Sequence, residues 1–392
     1  MNWIDTYFKG DRTIWLVVML LSILSILAVY SSTGTLAYRY QSGNTEYYLF
    51  KHTIILLFGF GLMYFAHIVR YTFYARLSKI ALFITVPLLV LTLASGTNLN
   101  DASRWLTLPV VNLSFQTSDL AKLSLILYVA RILSKKQDNI KDFREAFIPV
   151  MLPVMLVCGL ILPANFSTAA VLFVTCLVLM FIGRINVKYI FSLVGIAIAS
   201  FGLLLLIGYL AGFEMRSKTW QARIENFVSG SSDVNYQVEQ AKIAIATGGI
   251  IGKGPGNSSQ RNFLPHPYSD FIFAIIVEEY GLIGGIMIVM LYILLFYRSI
   301  RIVRKTERAF AALVTIGCAF SLVFQAMINM AVAVNLFPVT GQPLPMLSMG
   351  GTSIWFTSLA LGIILSVSAD IEQEELNRNT EGSVKGGEFA AI

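Results

Sequence analysis

The stretch that decides the fold is DFIFAIIVEEYGLIGGIMIVMLYILLFY, residues 270–297. Its apolar residues extend over the roughly 17 to 25 positions that a helix needs to cross a bilayer, and they do not alternate with polar residues as barrel strands do. The whole chain has the same character, because 56% of its 392 residues are hydrophobic and only 13% are charged, against about 25% in soluble domains. The sequence therefore predicts an all-α polytopic membrane protein.

Nine further apolar runs have a similar character. Hydrocarbon offers no partner to unpaired backbone groups, so we expect a bundle of about ten transmembrane helices. The predicted spans are 13–31, 49–69, 75–95, 115–133, 146–163, 167–183, 188–212, 270–297, 309–333 and 350–369.

Basic residues concentrate on alternate connections between these spans. If the N-terminus is inside, the short outside connections contain just three basic residues, Arg39, Lys51 and Arg104, as the positive-inside rule requires. Both termini are therefore predicted to be cytoplasmic, in a multi-pass protein of the cell membrane. Basic loops that face anionic lipid headgroups also account for the net charge of +7, and nothing indicates a nucleic-acid partner.

The chain divides into one membrane domain and a short tail. Residues 1–369 form the predicted membrane domain, with an extracytoplasmic loop at about 212–269 between spans seven and eight. Within this loop, residues 235–252 have the pattern of an amphipathic helix that lies on a membrane surface. Residues 370–392 are polar and lack an apolar face, so we expect a disordered cytoplasmic tail.

The glycines of GGIIGKGPGN, residues 248–257, permit two interpretations. Their amide groups could approach a phosphate closely, or they could serve turn geometry. A nucleotide-binding phosphate loop is excluded because that motif requires glycine where Thr247 stands. The three cysteines and three histidines are scattered, so neither a metal site nor a thiol nucleophile is indicated.

Three carboxylates in residues 270–297 need an explanation. Asp270 stands at the start of its span, where it could cap the helix or act chemically. Glu278 and Glu279 lie roughly 12 to 13.5 Å deeper, and an ionised carboxylate there requires water or a partner. The one lysine deep in another span is Lys122, which Asp119 precedes by three residues, so both face the same side of a helix.

Four stretches resemble one known family. They are NDASRW (100–105), FQTSDLAK (115–122), GGIIGKGPGNSSQRNFLPHPYSDFIFAIIVEEYGLIG (248–284) and NLFPVTGQPLPMLSMGGTSIW (335–355). In this order they are similar to the motifs of the SEDS family (shape, elongation, division and sporulation), which includes the FtsW and RodA proteins. The resemblance covers nearly the whole hydrophobic part of the chain, and the residues in the motifs favour the division branch, FtsW.

The resemblance implies a peptidoglycan glycosyltransferase. Such an enzyme polymerises lipid II, a disaccharide pentapeptide on undecaprenyl pyrophosphate, at the outer face of the cytoplasmic membrane. The reaction needs a base at the acceptor hydroxyl and positive charge at the departing pyrophosphate. Expected partners are a class B penicillin-binding protein, which is a transpeptidase, and other proteins of the division complex. No cofactor is indicated with certainty, and the sequence leaves open whether a divalent cation assists.

Residue by residue, the resemblance makes Asp270 the catalytic base. The residues expected to bind or surround the substrate are Arg104, Trp105, Asp119, Lys122, Arg223, Lys242, Lys253, Gln260, Arg261, Glu278 and Ser348. Some motif positions depart from the family, among them His266 for a glutamate and Asn165 for an aspartate. These departures leave Asp270 untouched.

Three alternatives to a division polymerase stay open at this stage. The first is a polymerase of the elongation branch, RodA. The second is a carrier that moves lipid II across the bilayer, since intramembrane carboxylates often mark transport. The third is a non-catalytic scaffold for a transpeptidase, in which the carboxylates would be dispensable.

Overall fold

The computed structural model describes residues 8–95, 97–99, 102–108, 113–210 and 233–389. Most of them are helical, and every predicted span overlaps a helix. The helices are α1 Arg12–Ser32, α2 Gly34–Tyr40, α3 Thr45–Ile68, α4 Tyr71–Ser95, α5 Thr117–Lys135, α6 Ile148–Ile161, α7 Phe166–Ile182, α8 Val187–Leu210, α9 Asp233–Gly248, α10 Ile272–Lys305, α11 Ala309–Ala333 and α12 Gly351–Phe389. A π-helical turn, Phe143–Phe147, precedes α6, and a 3₁₀ turn, Gln260–Asn262, precedes α10.

Seven of the described helices are long and apolar enough to cross a membrane, judged by length and composition. They are α1, α3, α4, α6 with its preceding turn, α10, α11 and α12, and α7 and α8 are shorter apolar helices. The prediction of a mostly helical, multi-pass membrane protein is confirmed. Side chains cap the N-termini of several of these helices: Asp11 accepts a hydrogen bond from Thr13 N at 2.9 Å, and Asn165 accepts one from Thr168 N at 3.2 Å.

A small antiparallel sheet was not predicted. Strands β1 Thr97–Leu99, β2 Ala102–Leu108 and β3 Leu113–Gln116 pair in chain order between α4 and α5. In the register, Trp105 stands opposite Thr97 on one side and Gln116 on the other. We call the end of the bundle that carries this sheet, α2 and α9 the loop end.

The bundle is held together by close helix contacts, of which that between α3 and α12 is the most extensive. A Cβ at Gly362 would stand 2.5 Å from the Met63 carbonyl oxygen, and one at Gly59 would stand 2.8 Å from Ser358 Oγ. Small residues thus let the two backbones approach, as is common between membrane helices.

The last helix differs from the expectation of a disordered tail after residue 369, because α12 continues to Phe389. Its first turns beyond Ala369 are acidic and form ion pairs with basic groups of other connections. Asp370 pairs with Arg70 at 3.5 Å and Arg308 at 3.6 Å, Glu374 with Arg308 at 2.5 Å, and Glu375 with Lys305 at 3.1 Å. We call this opposite end of the bundle the tail end.

A non-helical segment, residues 342–348, lies inside the protein between α11 and α12. Its carbonyl groups accept hydrogen bonds from side chains of three helices, which satisfies backbone that no helix or sheet pairs. The bonds are Asn329 Nδ2 to Gln342 O at 2.7 Å, Gln325 Nε2 to Pro343 O at 2.9 Å, Ser25 Oγ to Leu347 O at 2.8 Å, and Tyr292 Oη to Pro345 O. We call residues 342–348 the buried segment.

Candidate functional site

Asp270 stands at the loop end, half-buried, directly before α10. Its Oδ1 accepts a hydrogen bond from Ser269 Oγ at 2.9 Å, and its carbonyl oxygen accepts one from Asn329 Nδ2 at 2.9 Å. The N-cap residue of α10 is Phe271, whose side chain makes no capping bond. The sequence allowed Asp270 to be the N-cap residue of this helix, but in the structure it lies one residue before the cap.

The backbone around Asp270 is fixed by the buried segment and the residue after it. Ser348 Oγ donates to the Ser269 carbonyl at 2.6 Å and accepts from Leu344 N at 2.7 Å. Met349 N donates to the Tyr268 carbonyl at 2.9 Å. Together with the bond from Asn329, these contacts hold the carbonyl oxygens of Tyr268, Ser269 and Asp270, so the Asp270 carboxyl group stands on a constrained backbone.

Glu278 is fully buried, and its hydrogen bonds come from the loop before α10. Lys253 Nζ lies 2.5 Å from Oε1 and is 31% exposed, while Ser259 Oγ donates to the same oxygen at 2.9 Å. Ser258 Oγ and Gln260 N, the latter at 3.2 Å, donate to Oε2. The cation that balances Glu278 is therefore Lys253 and not Lys122, because the loop folds back along the helix.

Glu279 is also buried, and it faces α1. Ser31 Oγ donates to Glu279 Oε1. Arg261 Nη1 in turn donates to the Ser31 carbonyl at 3.0 Å and contacts Ser31 Oγ at 3.4 Å. Because Arg261 reaches across to α1, the two neighbouring glutamates fix the same loop at two places.

The glycines of residues 248–257 serve close packing against α10. The helix is broken at Gly281, where φ is 70° and ψ is −171°, and Gly254 N donates to the Glu279 carbonyl at 2.9 Å. A Cβ at Gly252 would lie 2.2 Å from that carbonyl oxygen, and one at Gly281 would lie 2.2 Å from the Ile250 carbonyl oxygen. At these two positions the glycines approach protein backbone, and the positive φ of 92° at both Gly252 and Gly254 agrees with the turn interpretation.

Asp119 and Lys122 form an ion pair near the start of α5. Lys122 Nζ lies 2.8 Å from Asp119 Oδ1, and the lysine is 15% exposed. Lys122 also donates to Gln325 Oε1 at 3.1 Å, and Gln325 holds Pro343 of the buried segment. The predicted helix-face pairing is confirmed, and it is connected through Gln325 to the backbone next to Ser348.

The remaining predicted residues are dispersed over the loop end. Lys242 is exposed on α9, and Gln260 is half-buried in the 3₁₀ turn. Trp105 is half-buried on β2. Arg104 is the residue before it, and its side chain lies outside the part of the chain that the structure describes. Arg223 lies outside the described residues. Within the described part of the chain, no three His, Cys, Asp or Glu side chains gather as a metal site would require.

Two important side chains were missed by the sequence analysis. Gln325 and Asn329 occupy one face of α11 at a spacing of four residues, and both hold the buried segment. Two amides at this spacing in an otherwise apolar span are a readable signal of polar contacts inside a bundle.

Comparison with known proteins places this arrangement in a family. The family model of FtsW, RodA and SpoVE, described as a cell cycle protein, matches residues 11–373. A probable peptidoglycan glycosyltransferase FtsW of Trichlorobacter lovleyi is 31% identical, over 92% of this chain and 94% of that protein. Stage V sporulation protein E of Bacillus subtilis is 33% identical, over 91% of this chain and 96% of that protein.

Solved structures have the same fold. A chain from a structure on the coordination of polymerisation and crosslinking by a peptidoglycan synthase complex matches with a TM-score of 0.71 and 24% identity, covering 93% of this chain and 99% of that one. The rod shape determining protein RodA of Thermus thermophilus matches with a TM-score of 0.67 and 23% identity, covering 93% and 98%. The match of the family model to residues 11–373, together with the relatives that are 31% and 33% identical, establishes that the chain belongs to the FtsW/RodA/SpoVE family of cell cycle proteins.

Proposed function

We propose that the protein is a peptidoglycan glycosyltransferase that polymerises lipid II, with Asp270 as the general base for the acceptor hydroxyl. The observation that carries the proposal is a half-buried carboxyl group that accepts a hydrogen bond from Ser269 Oγ, on a backbone held by Asn329 at the Asp270 carbonyl and by Ser348 at the carbonyl before it. A base must be held within hydrogen-bond reach of the proton that it removes. The relative from Trichlorobacter lovleyi carries the name of this activity.

The membrane arrangement belongs to the proposal as well. We assign ten membrane-crossing helices to residues 1–369, namely α1, α3 to α8 and α10 to α12. Both termini would then be cytoplasmic, and the loop of about 212–269 would be extracytoplasmic. The loop end, with Asp270, would face the side on which lipid II is polymerised, and the part of α12 beyond Ala369 would lie in the cytoplasm.

Lys122 is the group that we assign to the departing pyrophosphate. Lys253 bonds Glu278 and Ser259, and Arg261 bonds Ser31 through Nη1, so both hold the loop and still have donors left for this role. An ammonium group has three donors, and Lys122 directs two of them to Asp119 and Gln325. A third donor is left for a phosphate oxygen, and Arg104, Arg223 and Lys242 are the further cations that we place in this role.

The finer assignment is to cell division, with a class B penicillin-binding protein as the partner that crosslinks the new strands. Support for division comes from the FtsW name of the relative in Trichlorobacter lovleyi. Support for the partner comes from the fold match to a chain of a synthase complex that combines polymerisation with crosslinking.

One assay separates polymerase, carrier and scaffold. The purified protein is reconstituted in liposomes with lipid II, alone and with its transpeptidase, and glycan strands are measured. We expect Asp270→Asn to reduce polymerisation by at least about 100-fold, the smaller value for loss of a general base. Glu46→Gln, at an exposed carboxylate of the same end, is the matched control and should retain activity.

Each alternative predicts a different result in that assay. Equal polymer from the wild type and Asp270→Asn would overturn the assignment of the base. Transfer of lipid II between leaflets without polymer would identify a carrier. Polymer that forms only through the added partner, and that does not depend on Asp270, would identify a scaffold.

A further inference from the structure

Gln325 is buried on α11, 4% exposed, and both ends of its side chain are hydrogen-bonded. Its Oε1 accepts from Lys122 Nζ at 3.1 Å, and its Nε2 donates to the Pro343 carbonyl oxygen at 2.9 Å. Asn329, one turn later on the same helix, uses only its Nδ2, because its Oδ1 has no partner in the described part of the chain. Gln325 therefore joins a charged side chain to a backbone carbonyl, which Asn329 does not.

Close packing of α11 against α5 brings Gln325 within reach of Lys122. A Cβ at Gly317 would stand 2.9 Å from Ile126 Cγ2, so a larger residue there would push the two helices apart. Gln325 follows Gly317 by about two turns of α11, and Lys122 lies about one turn before Ile126 on α5. The contact between the amide and the ammonium group thus depends on the close approach of two helix backbones.

The oxygen of Gln325 restricts the direction in which Lys122 can act. An ammonium group has three donors on a flexible four-carbon stem. Asp119 Oδ1 at 2.8 Å and Gln325 Oε1 at 3.1 Å accept two of them. Two fixed N–H bonds on a tetrahedral nitrogen determine the direction of the third, which is the donor that we assign to the pyrophosphate. With Asp119 alone, the ammonium group would rotate about a single acceptor.

The amino group of Gln325 holds one peptide plane of the buried segment. The Pro343 carbonyl and the Leu344 N–H belong to the same planar unit. Gln325 Nε2 donates to its oxygen at 2.9 Å, and its N–H donates to Ser348 Oγ at 2.7 Å. Ser348 Oγ donates in turn to the Ser269 carbonyl at 2.6 Å, directly before the proposed base. The plane is held at both edges, and one edge leads to the catalytic site.

A purely structural role is the alternative for Gln325. The Pro343 carbonyl is buried backbone that needs a donor, and the amino group of Gln325 supplies it. This role does not account for the oxygen of the amide, which is directed at Lys122. A cavity of about 30 Å³ borders both residues and has room for a water molecule, so water could bond the ammonium group if the amide were absent. The amide replaces a mobile acceptor with a fixed one.

We propose that Gln325 is a positioning residue that fixes the Lys122 ammonium group relative to the backbone of Asp270. Sugar transfer needs the base at the acceptor hydroxyl and the cation at the departing pyrophosphate at the same moment. A misplacement of about 1 Å can cost about 100-fold in rate, and one buried amide bonded to both sides restricts this separation. The proposal rests on the proposed function, and it gives α11 a part in the reaction without contact with the substrate.

Steady-state polymerisation of lipid II in liposomes tests the proposal. Gln325→Met keeps a side chain of similar length but forms neither hydrogen bond, and we expect it to lower kcat about 100-fold. KM for lipid II should stay within about threefold of the wild type, because the groups that contact the substrate remain.

Ser321→Ala is the matched control for Gln325→Met. Ser321 lies one turn earlier on α11 and lines the same cavity. Within the described part of the chain it is hydrogen-bonded neither to Lys122 nor to the buried segment. We expect Ser321→Ala to retain the kcat of the wild type, and a loss as large as that of Gln325→Met would overturn the proposal.

A second background separates the two ends of Gln325. Lys122→Arg keeps the positive charge but presents a planar group with different donor directions, so Gln325 no longer directs it in the same way. If Gln325 acts through Lys122, Gln325→Met should lower kcat in this background by at most about tenfold, because the two positions are coupled. An equal loss in both backgrounds would confine the role to the Pro343 carbonyl and overturn the proposal.

Amide hydrogen exchange follows the link to the buried segment without activity. Gln325→Met should raise exchange at Leu344 about fivefold, because the peptide unit loses one of its two hydrogen bonds, and Ser321→Ala should leave it unchanged. Thermal unfolding gives the folded fraction of each variant, and kcat is expressed per folded protein. Gln325→Asn, which keeps the amide but is one methylene shorter, replaces Gln325→Met if the latter does not fold. Unchanged kcat or unchanged exchange would overturn the proposal.

The failure of this proposal differs from that of the proposed function. If the wild type makes no glycan, the polymerase assignment fails and the role of Gln325 in the reaction fails with it, while exchange at Leu344 still reports the link to the buried segment. If the wild type polymerises lipid II and Gln325→Met does so with the same kcat, the positioning role fails and the polymerase assignment stands.

Discussion

At the scale of single residues, Glu278 is a fully buried carboxylate that forms an ion pair with Lys253. We expect Lys253→Met to lower the free energy of unfolding by about 2 kcal/mol. That is less than the roughly 3 to 5 kcal/mol for breaking a fully buried pair, because Lys253 is partly exposed and water screens its charge. Thermal or denaturant unfolding in detergent measures the effect.

Lys242→Met is the matched control for that variant, since Lys242 is exposed on α9 and its loss should change stability by less than about 0.5 kcal/mol. The double variant Lys253→Met with Glu278→Gln should lose less than the sum of the single losses, because the two groups are coupled. Strict additivity would contradict the pairing.

Asn329 is the residue that joins the buried segment to the site. Its Nδ2 donates to the carbonyl oxygens of both Asp270 and Gln342. Asn329→Leu should lower stability by about 2 kcal/mol, because one buried and one partly buried acceptor lose their donor, and it should lower the rate of polymerisation by displacing the Asp270 backbone.

The comparison variant for Asn329→Leu is Asn139→Leu, in an exposed connection at the tail end that holds Glu145. It should leave polymerisation unchanged. If Asn329→Leu matched the wild type in both thermal unfolding and glycan yield, the positioning role of Asn329 would be excluded.

At the scale of elements, the contact between residues 249–254 and α10 depends on glycines without room for a side chain. Gly252→Ala and Gly256→Ala are a matched pair, because both positions have positive φ, 92° and 80°, but only Gly252 faces a carbonyl oxygen at 2.2 Å from an added Cβ. We expect Gly252→Ala to separate the loop from the helix and raise amide hydrogen exchange at Lys253 and Gly254, while Gly256→Ala adds only backbone strain of about 1 kcal/mol. Equal exchange in the two variants would contradict the close contact.

The positions of the helices were predictable because hydrocarbon restricts the alternatives. An apolar run must be helical in a bilayer, so the first predicted span, 13–31, differs from α1 by one residue at each end. The sheet Thr97–Gln116 and the break at Gly281 were not predictable in this way. Both depend on contacts between segments, and a glycine in an apolar span does not by itself indicate that a loop packs against it.

The parts of the site were also predictable to different degrees, because some contacts are local in the sequence and others join distant segments. The pairing of Asp119 with Lys122 follows from helix geometry, and it is present at 2.8 Å. The partner of Glu278 is separated from it by 25 residues of chain, and no periodicity connects a loop lysine with a buried glutamate. The resemblance singled out Asp270, whereas its supporting amides on α11 appeared only in the structure.

At the scale of the whole molecule, the acidic start of the tail-end extension of α12 ties several connections together. Each ion pair there is partly exposed, and such pairs contribute about 0 to 1 kcal/mol apiece. Truncation after Ala369 should therefore lower the free energy of unfolding by roughly 2 kcal/mol, and the difference from the full chain should shrink in about 1 M salt, where charges are screened. Unfolding at low and high salt measures both effects.

Truncation after Arg378 is the control for that experiment, because it keeps Asp370, Glu374 and Glu375 with their basic partners. It should leave stability close to that of the full chain at either salt concentration. A loss of stability as large as that caused by truncation after Ala369 would show that the later part of the helix is responsible.

The buried segment has a consequence for how the molecule is made. It takes its hydrogen bonds from α1, α10 and α11, and a chain is synthesised from its N-terminus. Ser348, which holds the carbonyl next to Asp270, is therefore added after every predicted span except the last. A chain whose synthesis ends before this point therefore carries Asp270 without the contact from Ser348, and we expect such unfinished copies in the membrane to be inactive.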